Sequence, residues 1–147
     1  MRRVDYMVGT HDFKALKAEQ FMQSEVVCYR VDDTGEKCAR AMTEGGFGSV
    51  PVVDHDRKVL GIVSEFDLLK VIKQGQALST VKAGEIMTQN PTVVHPEESS
   101  TEIVHLLEQK HLMRMPVVDK EGKLVGVVAR RDILEGYLQA TTPMRGF

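Results

Sequence analysis

The sequence predicts an α+β fold made of two tandem β-α-β-β-α repeats packed with pseudo-twofold symmetry. Three observations carry this. Laid on itself with an offset of 65 residues, the chain aligns without a gap from Leu16 to Glu135, and Pro51 falls on Pro116. In each copy two β-rich runs flank a charged turn, "SVPVVDHDRKVLGIVSEFDLL" against "RMPVVDKEGKLVGVVARRDIL". Stretches of helical periodicity precede and follow those runs. A single copy of roughly 60 residues would bury little on its own, so the two are expected to pack their sheets together around one shared core.

The elements follow in order. "LKAEQFM" and "VKAGEIM" predict short helices ending near Met22 and Met87, each followed by a small strand, "VVCYRV" or "PTVVHP". Asp33 with Glu36, and Ser99 with Glu102, supply helix-start signals. In the helices that follow, Cys38, Ala41 and Met42 share one face, as do Ile103, Leu106 and Leu107. Strands are predicted over Val50–Val53 and Val59–Val63, then over Met115–Val118 and Leu124–Val128, with helices from about Glu65 and Arg130. "GGFG" at 45–48 reads as a helix C-cap and loop. The boundaries are an N-terminal extension over 1–15, a first repeat over 16–73, a linker over 74–80, a second repeat over 81–140 and a C-terminal tail over 141–147.

Bulk properties narrow the function. The chain has 147 residues, 42% of them hydrophobic and 27% charged, enough for a real core and an ordinary polar surface. A net charge of −2, a pI near 6.2 and no Trp argue against nucleic-acid binding by charge or base stacking. The first residues hold two arginines with no apolar run behind them, so no signal peptide is read, and no stretch approaches the roughly 18 apolar residues of a membrane span. Cys28 and Cys38 lack CxxC spacing and read as buried, reduced thiols of a cytoplasmic protein. The five histidines assemble no zinc site, and no nucleophile–base set is present, so the chain is expected not to be an enzyme.

The stretch "GIVSEFD", Gly61 to Asp67, carries the candidate chemistry. Two readings stand side by side. In one, Ser64 caps a helix and Asp67 closes a capping box. In the other, a hydroxyl, a carboxylate and unpaired N–H groups at one helix end receive a ligand, the carboxylate accepting from both hydroxyls of a ribose and the helix end favouring a phosphate. Gly61 would leave room for close backbone approach. In the second copy, "GVVARRD", Ala129 replaces the hydroxyl, while Arg130 and Arg131 bring guanidinium groups to a helix start and Arg114 precedes the strand "MPVV".

The doubled "PVVD", the doubled G-(I/V)-V-x-x-x-D and the β-α-β-β-α order resemble a tandem cystathionine β-synthase (CBS) domain pair, or Bateman module, of the stand-alone prokaryotic kind. The resemblance covers about Leu16 to Gln139. It implies a regulatory module that binds adenosine-containing ligands (AMP, ADP, ATP or S-adenosylmethionine) in clefts between the repeats, forms a homodimer of four repeats and reports to an effector protein, with no nucleic acid or membrane involved. Gly61, Ile62, Ser64 and Asp67 match the family's ribose- and phosphate-contacting motif. Val127 and Asp132 match it in the second copy, with Arg114, Arg130 and Arg131 favouring a phosphorylated ligand. By position, Met87, Thr92 and Met113 are expected to face Asp67, and Met22, Val27 and Gly48 to face Asp132. Leu68, Ile72, Ile133 and Leu138 are expected at a dimer surface. The alternatives are a dimerisation scaffold that has lost nucleotide binding, and an S-adenosylmethionine sensor.

Overall fold

The structure, a computed structural model, describes residues 12–141. The terminal parts of the predicted extension and tail lie outside the described residues. In chain order the elements are α1 (Ala18–Phe21), α2 (Gly35–Gly45), β1 (Ser49–Val53), β2 (Val59–Ser64), α3 (Glu65–Lys73), α4 (Ala83–Ile86), β3 (Thr88–Gln89), α5 (Ser100–Gln109), β4 (Arg114–Val118), β5 (Leu124–Ala129) and α6 (Arg130–Thr141). Short 3-10 turns lie at Phe13–Ala15 and Leu78–Thr80.

These elements form two compact units. One spans Val27–Pro91 with Glu121–Leu124 and contains Asp67. The other, containing Asp132, takes the described residues up to Val26, then Thr92–Lys120 and those from Val125 onward. Each unit therefore takes its leading helix from the other repeat. The hydrogen bonds that dock these helices recur with the 65-residue period. In the Asp132 unit Ala18 N–H donates to the Glu98 carbonyl (2.9 Å) and Ser100 N–H to that of Leu16 (2.9 Å). In the Asp67 unit Ala83 N–H donates to Asp33 (2.7 Å) and Gly35 N–H to Val81 (2.9 Å).

The sheets are small. In the Asp67 unit β1 pairs with β2 and β2 with β3, both antiparallel, while Tyr29 bridges Val52 in parallel on the far side of β1. In the Asp132 unit β4 pairs with β5, Val94 bridges Val117 in parallel, and Gln23 bridges Val127 antiparallel. The predicted strands "VVCYRV" and "PTVVHP" shrink to these single bridges at Tyr29 and Val94. In the second, prolines on both sides lack the N–H a longer ladder needs. The charged turn of the first repeat is built by Asp54, whose Oδ1 accepts from Asp56 N–H (2.8 Å) and Lys58 N–H (2.9 Å). Arg57 there sits at φ +66° where its repeat counterpart, Gly122, sits at +84°.

Helix boundaries follow capping chemistry. Ser99 caps α5 as predicted, accepting from Glu102 N–H (3.2 Å). The cap of α2 is Thr34, accepting from Lys37 N–H (3.1 Å), rather than Asp33. Asp33 instead accepts from Arg30 N–H (2.7 Å) and pairs with Lys37 Nζ (3.0 Å). Burial alone would raise its pKa, but these two partners outweigh it and hold the carboxyl below its usual range. Gly46, at φ +70°, ends α2 by donating to the Met42 carbonyl.

Apolar burial is organised in two clusters, one per unit, where the sequence led us to expect one shared core. The leading helices explain it. Phe21 and Met22 complete the cluster of Ile103, Met115 and Val128, and Ala83 does the same for Cys38, Val50 and Val63. Burying a Phe or Met side chain contributes about 1.5–3 kcal/mol, which a repeat lacking its docked helix forgoes. Leu68 and Ile133, expected at a dimer surface, are buried within their own units, while Ile72 (55%) and Leu138 (58%) are exposed. In α3 and α6 the period of 3.6 turns positions 68 and 133 inward, and the exposed stripe runs through Phe66, Leu69 and Ile72 and through Leu134, Tyr137 and Leu138.

Candidate functional site

The Asp67 site grows from the junction of β2 and α3. Glycine at 61 is required by the chain itself. A Cβ there would stand 2.6 Å from Met87 Sδ and 2.7 Å from the Thr88 carbonyl oxygen, because β3 crosses at that point. Ile62 pairs with Thr88 in the same crossing. Ser64 then leaves the strand and caps α3, its Oγ accepting from Asp67 N–H (3.3 Å). Asp67 Oδ2 accepts from Ser64 N–H (2.8 Å) and from Ser64 Oγ–H (3.0 Å). The capping box of the first reading is thus present, and it engages one carboxylate oxygen. Among the described residues nothing donates to Asp67 Oδ1, and the side chain is half-buried. Gly48 also belongs here, its carbonyl accepting from Glu65 N–H (3.1 Å), and Val27 lies exposed in the same unit.

The Asp132 site repeats this plan with different side chains. Gly126 is packed by Met22 and the Gln23 carbonyl as Gly61 is by Met87 and Thr88. Val127 is buried and exchanges both backbone hydrogen bonds with Gln23 (2.8 and 2.9 Å). Asp132 is 1% exposed. Its Oδ2 accepts from Ala129 N–H (2.8 Å) and its Oδ1 from Gln23 Nε2 (3.2 Å). Arg114 opens β4 half-buried; burial lowers its pKa, and the Asp132 carboxylate acts in the opposite direction. Arg130 and Arg131 are exposed at the start of α6. Met113 is exposed, its carbonyl accepting from Arg130 N–H (3.0 Å), and Thr92 lies half-buried in this unit.

The expected groupings divide between the two units. Met87 stands with the Asp67 motif and Met22 with Asp132. Gly48 and Val27, expected opposite Asp132, belong to the Asp67 unit, whereas Met113 and Thr92 belong to the Asp132 unit. Gly48 and Met113 occupy equivalent repeat positions and each satisfies the first N–H of the helix in its own unit. Gln23, which the sequence reading missed, touches a motif carboxylate; its one signal was a long donor side chain aligned with Thr88. Among the described residues no group of three or more His, Cys, Asp or Glu is placed to hold a metal, and no helix is long and apolar enough to cross a membrane.

An uncharacterised protein of Methanopyrus kandleri is 35% identical over 131 residues, covering 87% of this chain and 67% of the relative. An inosine-5'-monophosphate dehydrogenase of Methanocaldococcus jannaschii is 29% identical over 139 residues, but the chain spans only 27% of its length. Among solved structures, CBSX2 of Arabidopsis thaliana in complex with AMP aligns with a TM-score of 0.74 at 26% identity, over 84% of this chain and 96% of that one. The cytosolic domain of the Mg2+ channel MgtE in complex with ATP aligns with a TM-score of 0.69 at 27% identity, over 81% and 48%. The CBS domain profile matches twice, at residues 18–74 and 83–139, one match on each repeat. The chain belongs to the CBS domain family and carries its two domains in tandem.

Proposed function

We propose that the chain is a non-catalytic regulatory module of the cytoplasm that binds an adenosine nucleotide of the AMP, ADP or ATP class and signals its presence to a protein partner. One observation carries the reading. Asp67 engages its helix cap through one carboxylate oxygen, and among the described residues nothing donates to the other, which sits on a half-buried side chain at a helix start. A carboxylate so placed accepts from both hydroxyls of a ribose, while the helix end favours a nearby phosphate. The AMP and ATP in the related CBSX2 and MgtE structures support this ligand class.

Isothermal titration with adenosine, AMP, ADP and ATP tests the reading. Asp67→Ala removes two charge-assisted hydrogen bonds and is expected to cost about 2–3 kcal/mol of binding, against about 1 kcal/mol for Ser64→Ala. Equal losses would remove the ribose role, and no binding across the panel would leave a scaffold.

The exposed stripes on α3 and α6 support a further part of the reading, a homodimer. Phe66, 77% exposed, leads one of them. An open groove of about 500 Å³ beside α5 and α6, lined by Val104, Leu107, Ile133 and Leu134 among others, adds apolar surface that a second copy would cover. Sedimentation at micromolar concentration is expected to give twice 16.4 kDa; a monomer would remove this part.

A further inference from the structure

We propose that Gln23 holds the second motif carboxylate closed, so that the native chain takes one nucleoside, at Asp67. The inference rests on the nucleotide reading above and adds an occupancy to it. Both units place a motif aspartate three residues into the helix that follows the strand, and both cross that strand with the leading segment of the other repeat. The difference lies in what the crossing segment carries. In the Asp132 unit the crossing residue is Gln23, fixed by its two backbone hydrogen bonds with Val127, and its carboxamide donates to Asp132 Oδ1 at 3.2 Å. In the Asp67 unit the equivalent residue is Thr88, paired with Ile62 and exposed, and Asp67 Oδ1 receives nothing from it.

The Gln23 carboxamide supplies the kind of donor a ribose hydroxyl would bring, to the oxygen that corresponds to the open one of Asp67. With Oδ2 engaged by Ala129 N–H, Oδ1 by Gln23 and the side chain 1% exposed, Asp132 is out of a ligand's reach while Gln23 stays in place. A nucleoside must displace a hydrogen bond to a charged group, which lowers affinity there by roughly ten- to a hundredfold relative to a pre-opened site. Gln23 is in these terms a specificity-determining residue, acting by competition.

The test is calorimetric stoichiometry with adenosine and AMP on the full chain, for native protein, Gln23→Thr, Gln23→Ala, Asp67→Ala and the double variant Gln23→Thr with Asp132→Asn. Circular dichroism melts select the variants that remain folded. One equivalent per native chain is expected, weakened at least tenfold by Asp67→Ala. Gln23→Thr or Gln23→Ala should add a second equivalent, which the double variant loses. Two equivalents in native protein, or a single equivalent in both folded Gln23 variants, overturn the closure and leave the nucleotide reading standing. Absence of binding in every folded protein overturns the nucleotide reading, and the closure falls with it.

Discussion

Cys38 and Cys28 occupy opposite environments. Burial first, then the negative charge of Asp33, pushes the Cys38 thiol up to about 11. Cys28 is half-buried, with its Sγ 3.8 Å from the Arg57 guanidinium. The thiolate is the reacting species, so at pH 8 Cys38 should resist a thiol reagent. One fast-reacting thiol of the two is expected in native protein, assigned by peptide mass spectrometry to Cys28, with the second appearing on unfolding. Two fast thiols would contradict the packing around Cys38. At the same scale, Asp67 has room for both a cap and the proposed ribose contact in one side chain: each carboxylate has two oxygens, and the capping box engages only one. The sequence displayed both readings of "GIVSEFD" without choosing, because the same residue types serve each.

At the scale of elements, strand and helix limits were legible to within a residue or so wherever β-branched runs alternate with charged turns, as in Ser49–Val53 and Leu124–Ala129. The two-residue strand Thr88–Gln89 was not, since exposed polar residues carry no periodic signal. Its crossing, however, sets a strict requirement on β2, and the same holds for the first repeat's leading segment on β5. Gly61→Ala and Gly126→Ala each drive a Cβ against a flexible methionine sulfur and, less forgivingly, a backbone carbonyl at 2.7–2.8 Å. Each is expected to destabilise by about 1–3 kcal/mol, read as a lowered thermal midpoint. Unchanged melting would mean that the crossing segments yield more readily than a strand pairing allows. The motif glycine is thus explained by packing.

For the molecule as a whole, the doubling was legible and the exchange of leading helices was not. Lys17, Ala18 and Met22 are identical to Lys82, Ala83 and Met87, so nothing in composition says which repeat either helix completes. Only the docking geometry decides it. The same identity hid Gln23, whose importance lies in its difference from Thr88 at a position outside the motif.

That exchange gives the chain a property closer to a clasp than to beads on a string. The segment between α3 and α4, Gln74 to Ala77, is exposed and turns at Gly75 with φ +78°. A protease nick there would yield two pieces, each of which holds a part the other needs. The first carries Phe21 and Met22 for the Asp132 unit; the second carries Ala83 and Met87 for the Asp67 unit. Limited proteolysis at this segment is therefore expected to give fragments that elute together from a sizing column and separate only in denaturant. Fragments that part under native conditions would show that the leading helices dock weakly. A cut at that point would remove covalent continuity alone and leave the two docked helices to join the halves.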